Sequence, residues 1–298
     1  MSKMSIRGVS LYVDVVGHGD PLLLMHGGPG LDHVSLTPFR RLADRHTLIF
    51  YDHRCNGRST GAPVTSMTWE NLTADADELR EVLGFERWAV LGHSFGGHVA
   101  LEYALRYPES VSRLILLDTA GDARWSQENA AEVLADRGYD SKTVAVARRF
   151  YSGRVAPKDF IRAAFRLVPA YDHRFSILRV ARGMAAGAWR MKTRPEALTF
   201  GGQMMRGWSV MDRLGEIAVP TLVLAGHDDF LFPPESQASL AAGIPNARLR
   251  IIERAGHNPQ SERTDVTLAA VAGFLADLHQ PARPPLSVRR VAADGMGV

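Results

Sequence analysis

Val90-Leu91-Gly92-His93-Ser94-Phe95-Gly96-Gly97-His98 is the stretch from which the rest of the chain can be read. An apolar run, Trp88 to Leu91, enters it. A helical pattern leaves it, with Val99, Ala100, Leu101, Tyr103, Ala104 and Leu105 on one stretch of helix. Strand, sharp turn and helix are therefore expected, with Ser94 at the apex. So tight a turn crowds the backbone two residues either side of the apex, where glycine has no Cβ to clash. Gly92 and Gly96 occupy those places. The turn lifts the Ser94 hydroxyl above the sheet as a candidate nucleophile. Such a serine needs a base, an acid to orient the base, and donors for a developing oxyanion.

Working outward, Leu11 to Val16 reads as a strand, and Leu22 to Met25 as a fully apolar, buried parallel one. The latter ends in His26-Gly27-Gly28-Pro29-Gly30. Thr47 to Tyr51 is the next strand, ending in Asp52-His53-Arg54-Cys55-Asn56-Gly57-Arg58-Ser59. Trp69 to Leu83 is helical, and its acids Glu70, Asp75, Asp77, Glu78 and Glu81 are expected on a wet outer face. Val111 to Asp118 is a further strand. Alternation of this kind implies an α/β fold, a mostly parallel doubly wound sheet with helices on both faces. Ligands of such sheets bind beyond the carboxyl ends of the strands.

The alternation breaks between 120 and 214, where helices are expected over Ala130–Leu134, Val144–Tyr151, Phe160–Leu167 and Ile177–Ala185. This reads as a helical cap inserted before the strand that carries the acid, with Trp125, Trp189 and Trp208 as candidate pocket walls. Strands resume at Val219–Ala225 and Arg248–Ile252, with a helix from Pro233-Pro234 to Ala242 between them and a closing helix from Val266 to Leu278. The core is thus 1–119 with 215–279, the cap 120–214, and 280–298 a flexible, proline-bearing tail.

At 298 residues the chain can bury a large core, and 46% hydrophobic with 22% charged residues is ordinary globular composition. A net charge of +3 is too small to argue for a nucleic-acid partner, though the sequence pI of about 9.2 keeps the question open. The arginines are scattered and read as a solvated surface, so no nucleic acid is expected. The single cysteine, Cys55, excludes an internal disulfide and a cysteine-based zinc site. No apolar leader or membrane-length run is present, so a cytoplasmic protein acting on a small molecule or short peptide is expected, with no membrane partner. The oligomeric state is left open.

Eleven histidines compete for the role of base. His257 is favoured because it follows the last strand, in Gly256-His257-Asn258-Pro259, on the same sheet edge as Ser94. His93 and His98 flank the apex and are expected to be packing or surface residues. The acid is expected after the strand ending at Ala225, giving the order Ser, Asp, His. Asp229 is preferred for its spacing to Pro233, with Asp228 as the alternative. Oxyanion donors are expected from the N–H groups of Phe95 and Gly28. These residues need no metal and no cofactor.

Taken together, the His26–Gly30 loop, the Tyr51–Ser59 stretch, the turn around Ser94, Asp229 and His257 resemble the α/β-hydrolase superfamily, and within it the proline iminopeptidase-like branch. The resemblance spans about Leu11 to Leu278. It implies a serine hydrolase working through an acyl-enzyme on a small ester, lactone or N-terminal peptide amide. Relatives with this arginine loop usually carry glycine where Cys55 stands, and Cys55 is read as a passive thiol. An aminopeptidase of the branch also implies cap carboxylates that hold the substrate's ammonium. Glu128, Glu132, Asp136, Asp159, Asp172 and Glu196 are candidates by location alone. The cap's Arg162–Arg166 and Met204–Arg206 stretches suit an apolar or anionic acyl group as well. Alternatives on the same fold are a slow-turnover ligand-binding protein and cofactor-free chemistry such as perhydrolysis or C–C cleavage.

Overall fold

The computed structural model describes residues 2–178, 181, 185 and 191–277. Its eight strands are β1 (Ser2–Ile6), β2 (Val9–Val16), β3 (Asp20–Met25), β4 (His46–Tyr51), β5 (Trp88–His93), β6 (Val111–Leu117), β7 (Thr221–Gly226) and β8 (Ala247–Ile252). They form one sheet in the order β1-β2-β4-β3-β5-β6-β7-β8. β2 is antiparallel to both β1 and β4, and the remaining pairings are parallel. The mostly parallel, doubly wound sheet expected from the alternation of elements is the observed one.

Period-two alternation divides the core between the two sheet faces. Leu23, Met25, Ile49, Tyr51, Val90 and Val223 belong to one apolar cluster, which includes residues of α1 (Trp69–Val82), α2 (Phe95–Arg106) and α7 (Pro234–Gly243). Leu22, Leu24, Leu48, Phe50, Leu91 and Leu224 belong to the other, shared with the 3-10 segment His33–Leu42 and with α9 (Thr264–Ala276). β5 and β7 are buried along their whole length, which is why they read as unbroken apolar runs. The order reverses around β3, whose neighbours are β4 on one side and β5 on the other. A crevice opens at such a reversal, beyond the strand ends. The loops after β3 and β5, carrying Gly27, Gly28 and Ser94, meet there.

Between β6 and β7 the described chain forms a π-helical turn, Trp125–Asn129, then α3 (Ala130–Asp136), α4 (Ser141–Tyr151), α5 (Phe160–Leu167) and α6 (Pro195–Met204). A third apolar cluster joins Leu134, Ala147, Leu167 and Ala170 of this insertion to Phe230, Leu231 and Phe232 after β7. Arg194 closes the other side, its N–H donating to the Gly30 carbonyl at 2.6 Å and its Nε to the Gly57 carbonyl at 3.0 Å. The helix expected over Ile177–Ala185 lies in part outside the described residues; Trp189 and the tail 280–298 lie wholly outside them.

Three expectations are corrected. β1 is an element that the sequence pattern does not reveal; it pairs with β2 through a two-residue turn in which Arg7 and Gly8 have φ of 47° and 76°, both in the left-handed region typical of tight hairpins. α6 is likewise hidden from the pattern. Asp75 and Asp77 do not lie on a wet face. Asp75 is buried against Arg54, with Nε to Oδ2 at 2.6 Å, and Asp77 Oδ1 accepts from Tyr103 and Ser110 hydroxyls at 2.9 and 2.6 Å. These acids find partners in the loop after β4, on α2 and in the turn after α2, which periodicity alone cannot reveal.

Candidate active site

Ser94 sits between the last residue of β5 and the first of α2, at φ 54° and ψ −121°. A non-glycine residue in that region costs on the order of 1–3 kcal/mol, and surrounding structure must hold it there. The Ser94 N–H donates to the Leu117 carbonyl of β6 at 3.0 Å, and the Ser94 carbonyl accepts from the Gly97 N–H at 2.8 Å and the Thr119 hydroxyl at 2.9 Å. The glycines have a steric cause. A Cβ on Gly96 would collide with the Met25 carbonyl group, and one on Gly92 with the Gly96 carbonyl oxygen. Phe95 opens α2, so its N–H has no partner within the helix.

The loop after β3 lies against this turn. A Cβ on Gly27 would stand 2.9 Å from the Ser94 Cβ, and Gly28 has φ +67°. Buried polar groups fix the loop. His26 Nε2 accepts from the His53 N–H at 3.1 Å, so its proton sits on Nδ1, 3.0 Å from the Gly27 carbonyl. Asn56 Oδ1 accepts from the Gly30 N–H, and Asp52 accepts from the His33 N–H at 3.1 Å and the Arg58 N–H at 2.8 Å. Burial holds His26 below the usual histidine range and therefore neutral, as its accepting Nε2 requires. His26, Asp52 and Asn56 thus fix the backbone of the loops after β3 and β4.

Asp229, fully buried after β7, places Oδ2 2.8 Å from His257 Nδ1, while its Oδ1 accepts from the Leu231 N–H at 2.8 Å. An imidazole that donates Nδ1–H to a carboxylate keeps Nε2 free as a proton acceptor. The His257 N–H is itself held by the Tyr171 carbonyl at 2.8 Å. Asp228 points elsewhere, its Oδ2 2.6 Å from His173 Nδ1. His257 and Ser94 open onto the same cavity of about 500 Å³, as do Gly27, Gly28 and Phe95.

Of the two places expected for His93 and His98, the structure gives the packed one: both are buried, and both also line this cavity. His93 Nε2 donates to the His257 carbonyl at 2.9 Å, and the His98 ring packs 4.6 Å from that of Trp208. Burial pushes each down to about 3, so both are neutral cavity walls. Cys55 lies elsewhere, 8% exposed with Sγ 3.3 Å from the Pro63 carbonyl, and burial raises its thiol. Its φ of 64° puts a side chain on left-handed backbone, a conformation that favours glycine.

Much of the wall comes from the insertion, where Phe150, Tyr151, Phe160, Phe165 and Tyr171 line the cavity together with Phe232 after β7. The Tyr151 and Tyr171 hydroxyls bond each other at 2.7 Å, and burial pushes Tyr171 up to about 12. No Asp, Glu, Lys or Arg lines the cavity among the described residues. Glu128, Glu132, Asp136, Asp159 and Glu196 are exposed and Asp172 is half-buried, all outside the lining. Trp125 and Trp208 do not line it either; Trp208 stacks on Trp69 at 5.1 Å. No helix among the described residues is long and apolar enough to cross a membrane.

Comparison with known proteins agrees with this architecture. A family model described as the alpha/beta hydrolase fold matches residues 20–264. A proline iminopeptidase of Lactobacillus delbrueckii subsp. bulgaricus is 30% identical over 272 residues, 83% of this chain and 88% of that one. The crystal structure of a proline iminopeptidase from Mycobacterium smegmatis is similar with a TM-score of 0.72 and 26% identity, covering 92% of this chain and 97% of that one. An esterase from Exiguobacterium antarcticum shares the fold, with a TM-score of 0.75 at 20% identity over 92% of this chain and 98% of that one. The chain belongs to the α/β-hydrolase superfamily, in its proline iminopeptidase-like branch, and is a hydrolase.

Proposed function

We propose that the protein is a serine hydrolase for carboxylic esters or lactones with an apolar acyl part. Ser94 Oγ attacks the carbonyl carbon while His257 Nε2 takes its proton, and Asp229 stabilises the imidazolium through Nδ1–H. The N–H groups of Phe95 and Gly28 receive the negative charge that moves to the carbonyl oxygen. His257 then returns the proton to the departing alkoxide, leaving an acyl-enzyme. Water, deprotonated by the same histidine, adds to the acyl carbon, and His257 returns that proton to Ser94 Oγ as the acyl–oxygen bond breaks and the carboxylic acid leaves.

The observation that carries the choice of substrate is the wall above Ser94, which is aromatic and aliphatic. The relatives named as proline iminopeptidases favour an N-terminal proline amide instead. Such a substrate brings a charged ammonium, and burying one without a negative partner is costly. The described lining has no carboxylate, and the sequence from 179 to 190 contains no Asp or Glu. An apolar acyl chain meets no such penalty and gains about 0.8 kcal/mol for each CH₂ taken from water.

The test compares proline arylamide, an acyl lactone, and aryl acetate, butyrate and hexanoate at equal concentration. Ester turnover is expected to exceed amide turnover, with kcat/KM rising from acetate to hexanoate by up to about two orders of magnitude. Faster cleavage of the proline arylamide than of every ester would overturn the reading in favour of the aminopeptidase.

A further inference from the structure

A buried carboxyl with no part in the acyl-transfer scheme lies beneath its acid. Asp118 directly follows β6, with φ 45° and a fully buried side chain. Its Oδ1 accepts from the Gly226 N–H at 2.8 Å, while Oδ2 is buried and meets no hydrogen-bond donor. One oxygen of Asp118, one of Asp229 and a ring nitrogen of His257 all lie within 4.8 Å of one another. The next residue, Thr119, donates to the Ser94 carbonyl, so the two residues after β6 reach both ends of the site.

Two buried carboxyls this close do not both ionise; they share one charge. Asp229 accepts from His257 and Leu231, whereas Asp118 accepts from Gly226 alone, so the charge belongs to Asp229 and the proton to Asp118. The acidic surroundings reinforce this. Besides Asp229, Glu262 of α8 (Pro259–Glu262) lies near, while Asp228 is turned to His173. Burial, then Asp229, raise the Asp118 carboxyl well above the usual range. A proton on Oδ2 also provides that orphaned oxygen with a bond, donated to Asp229.

We propose that Asp118 is a positioning residue: through a shared proton it holds the Asp229 carboxylate against His257, and it becomes the counter-ion of His257 when Asp229 is neutralised. This rests on the reading of Ser94, His257 and Asp229 as nucleophile, base and acid. No atom is exchanged with substrate. In Asp229→Asn, Asp118 releases its proton to solvent and carries the negative charge itself.

The test uses the full chain and the second-order rate of Ser94 labelling by a fluorophosphonate, which needs no knowledge of the substrate. Asp118→Ala is expected to slow labelling tenfold or more, and Asp118→Asn, which can accept from Gly226 and donate to Asp229, to restore most of that loss. Asparagine also tolerates the left-handed backbone. Asp229→Asn is expected to keep a residual rate that rises with pH, and Asp118→Asn/Asp229→Asn to lie at least tenfold below it. A structural readout runs in parallel. Between the ordinary carboxyl range and neutrality the folded chain holds a proton that the unfolded chain has lost, so wild-type Tm should fall relative to Asp118→Asn as pH rises from 4 to 8. Should Asp118→Ala fail to fold, the double variant and the Tm series decide. Wild-type rates in Asp118→Ala, equal rates in Asp229→Asn and the double variant, or parallel Tm curves would overturn the inference. Absence of labelling at Ser94 in the wild type would overturn the serine hydrolase reading instead.

Discussion

Gly27→Ala puts the geometry around Ser94 to its sharpest test. Gly27 is not among the residues with positive φ, so its backbone accepts alanine without strain. The obstacle is space: the new Cβ would lie 2.9 Å from both the Ser94 Cβ and His93 Nδ1. Carbon atoms rest at about 3.5–4.0 Å, so roughly 0.6–1.1 Å must be absorbed. Ser94 cannot readily yield, being held by Leu117, Gly97 and Thr119. The loop after β3 must move instead, carrying the Gly28 N–H away from the oxyanion position. A displacement of about 1 Å costs on the order of a hundredfold in rate. We expect kcat for an aryl ester to fall by about that factor, with KM changed far less, because the donor matters most once charge has developed. Thermal denaturation should show a change in Tm of only a few degrees. Gly273→Ala, where nothing lies within 4 Å, is the control for substitution as such. A Gly27→Ala enzyme within threefold of wild type would refute the placement of this loop as part of the oxyanion hole.

Two further outcomes follow from the same structure. Asp228→Asn should leave kcat/KM within about twofold, because Asp228 is turned to His173 and not to His257; a loss approaching that of Asp229→Asn in steady-state ester hydrolysis would exchange their roles. Acid should destabilise the fold. His93 and His98 are held down to about 3, so between their ordinary value of 6.5 and that point the unfolded chain binds more protons. Their contribution is present above pH 6.5 and is lost as pH falls toward 3, the opposite sign to Asp118. A tenfold difference in proton affinity between the folded and unfolded chain is worth about 1.4 kcal/mol, so Tm should drop steeply below pH 6. A flat Tm from pH 7 to 4.5 would show that these rings are not buried neutral.

What can be read from the chain alone divides along a physical line. β3, β5, β6 and β7 are legible because both faces are covered, so nearly every side chain is apolar, and a loop with a chemical signature closes β3, β5 and β7. The turn at Ser94 is local: Gly92, Gly96 and the strand before them meet within a few residues. Asp229 and His257 stand out because each directly follows a strand on the same edge. Elements held by distant partners are not legible. Asp75 reads as a solvated helix acid until Arg54, 21 residues away, is seen beside it. Pro195, Gly201 and Gly202 fall outside the expected helices, yet they belong to α6, where Gly201 lets the helix close on Pro29 and Gly202 on Gly153. His98 reads as a packing or surface residue because its place in the cavity depends on Trp208 and Phe232, both contributed after the insertion begins. The insertion shows the same limit more widely, because Leu134, Ala147 and Leu167 pack with Phe230–Phe232 and Gly201 closes on Pro29, all distant in the chain. The proposed chemistry is therefore written in short segments, whereas the proposed selectivity is written in the packing of α4, α5 and α6 around the cavity. Changes of substrate should accordingly follow substitutions at Phe150, Phe160 and Phe165, which line the cavity and leave Ser94, Asp229 and His257 untouched.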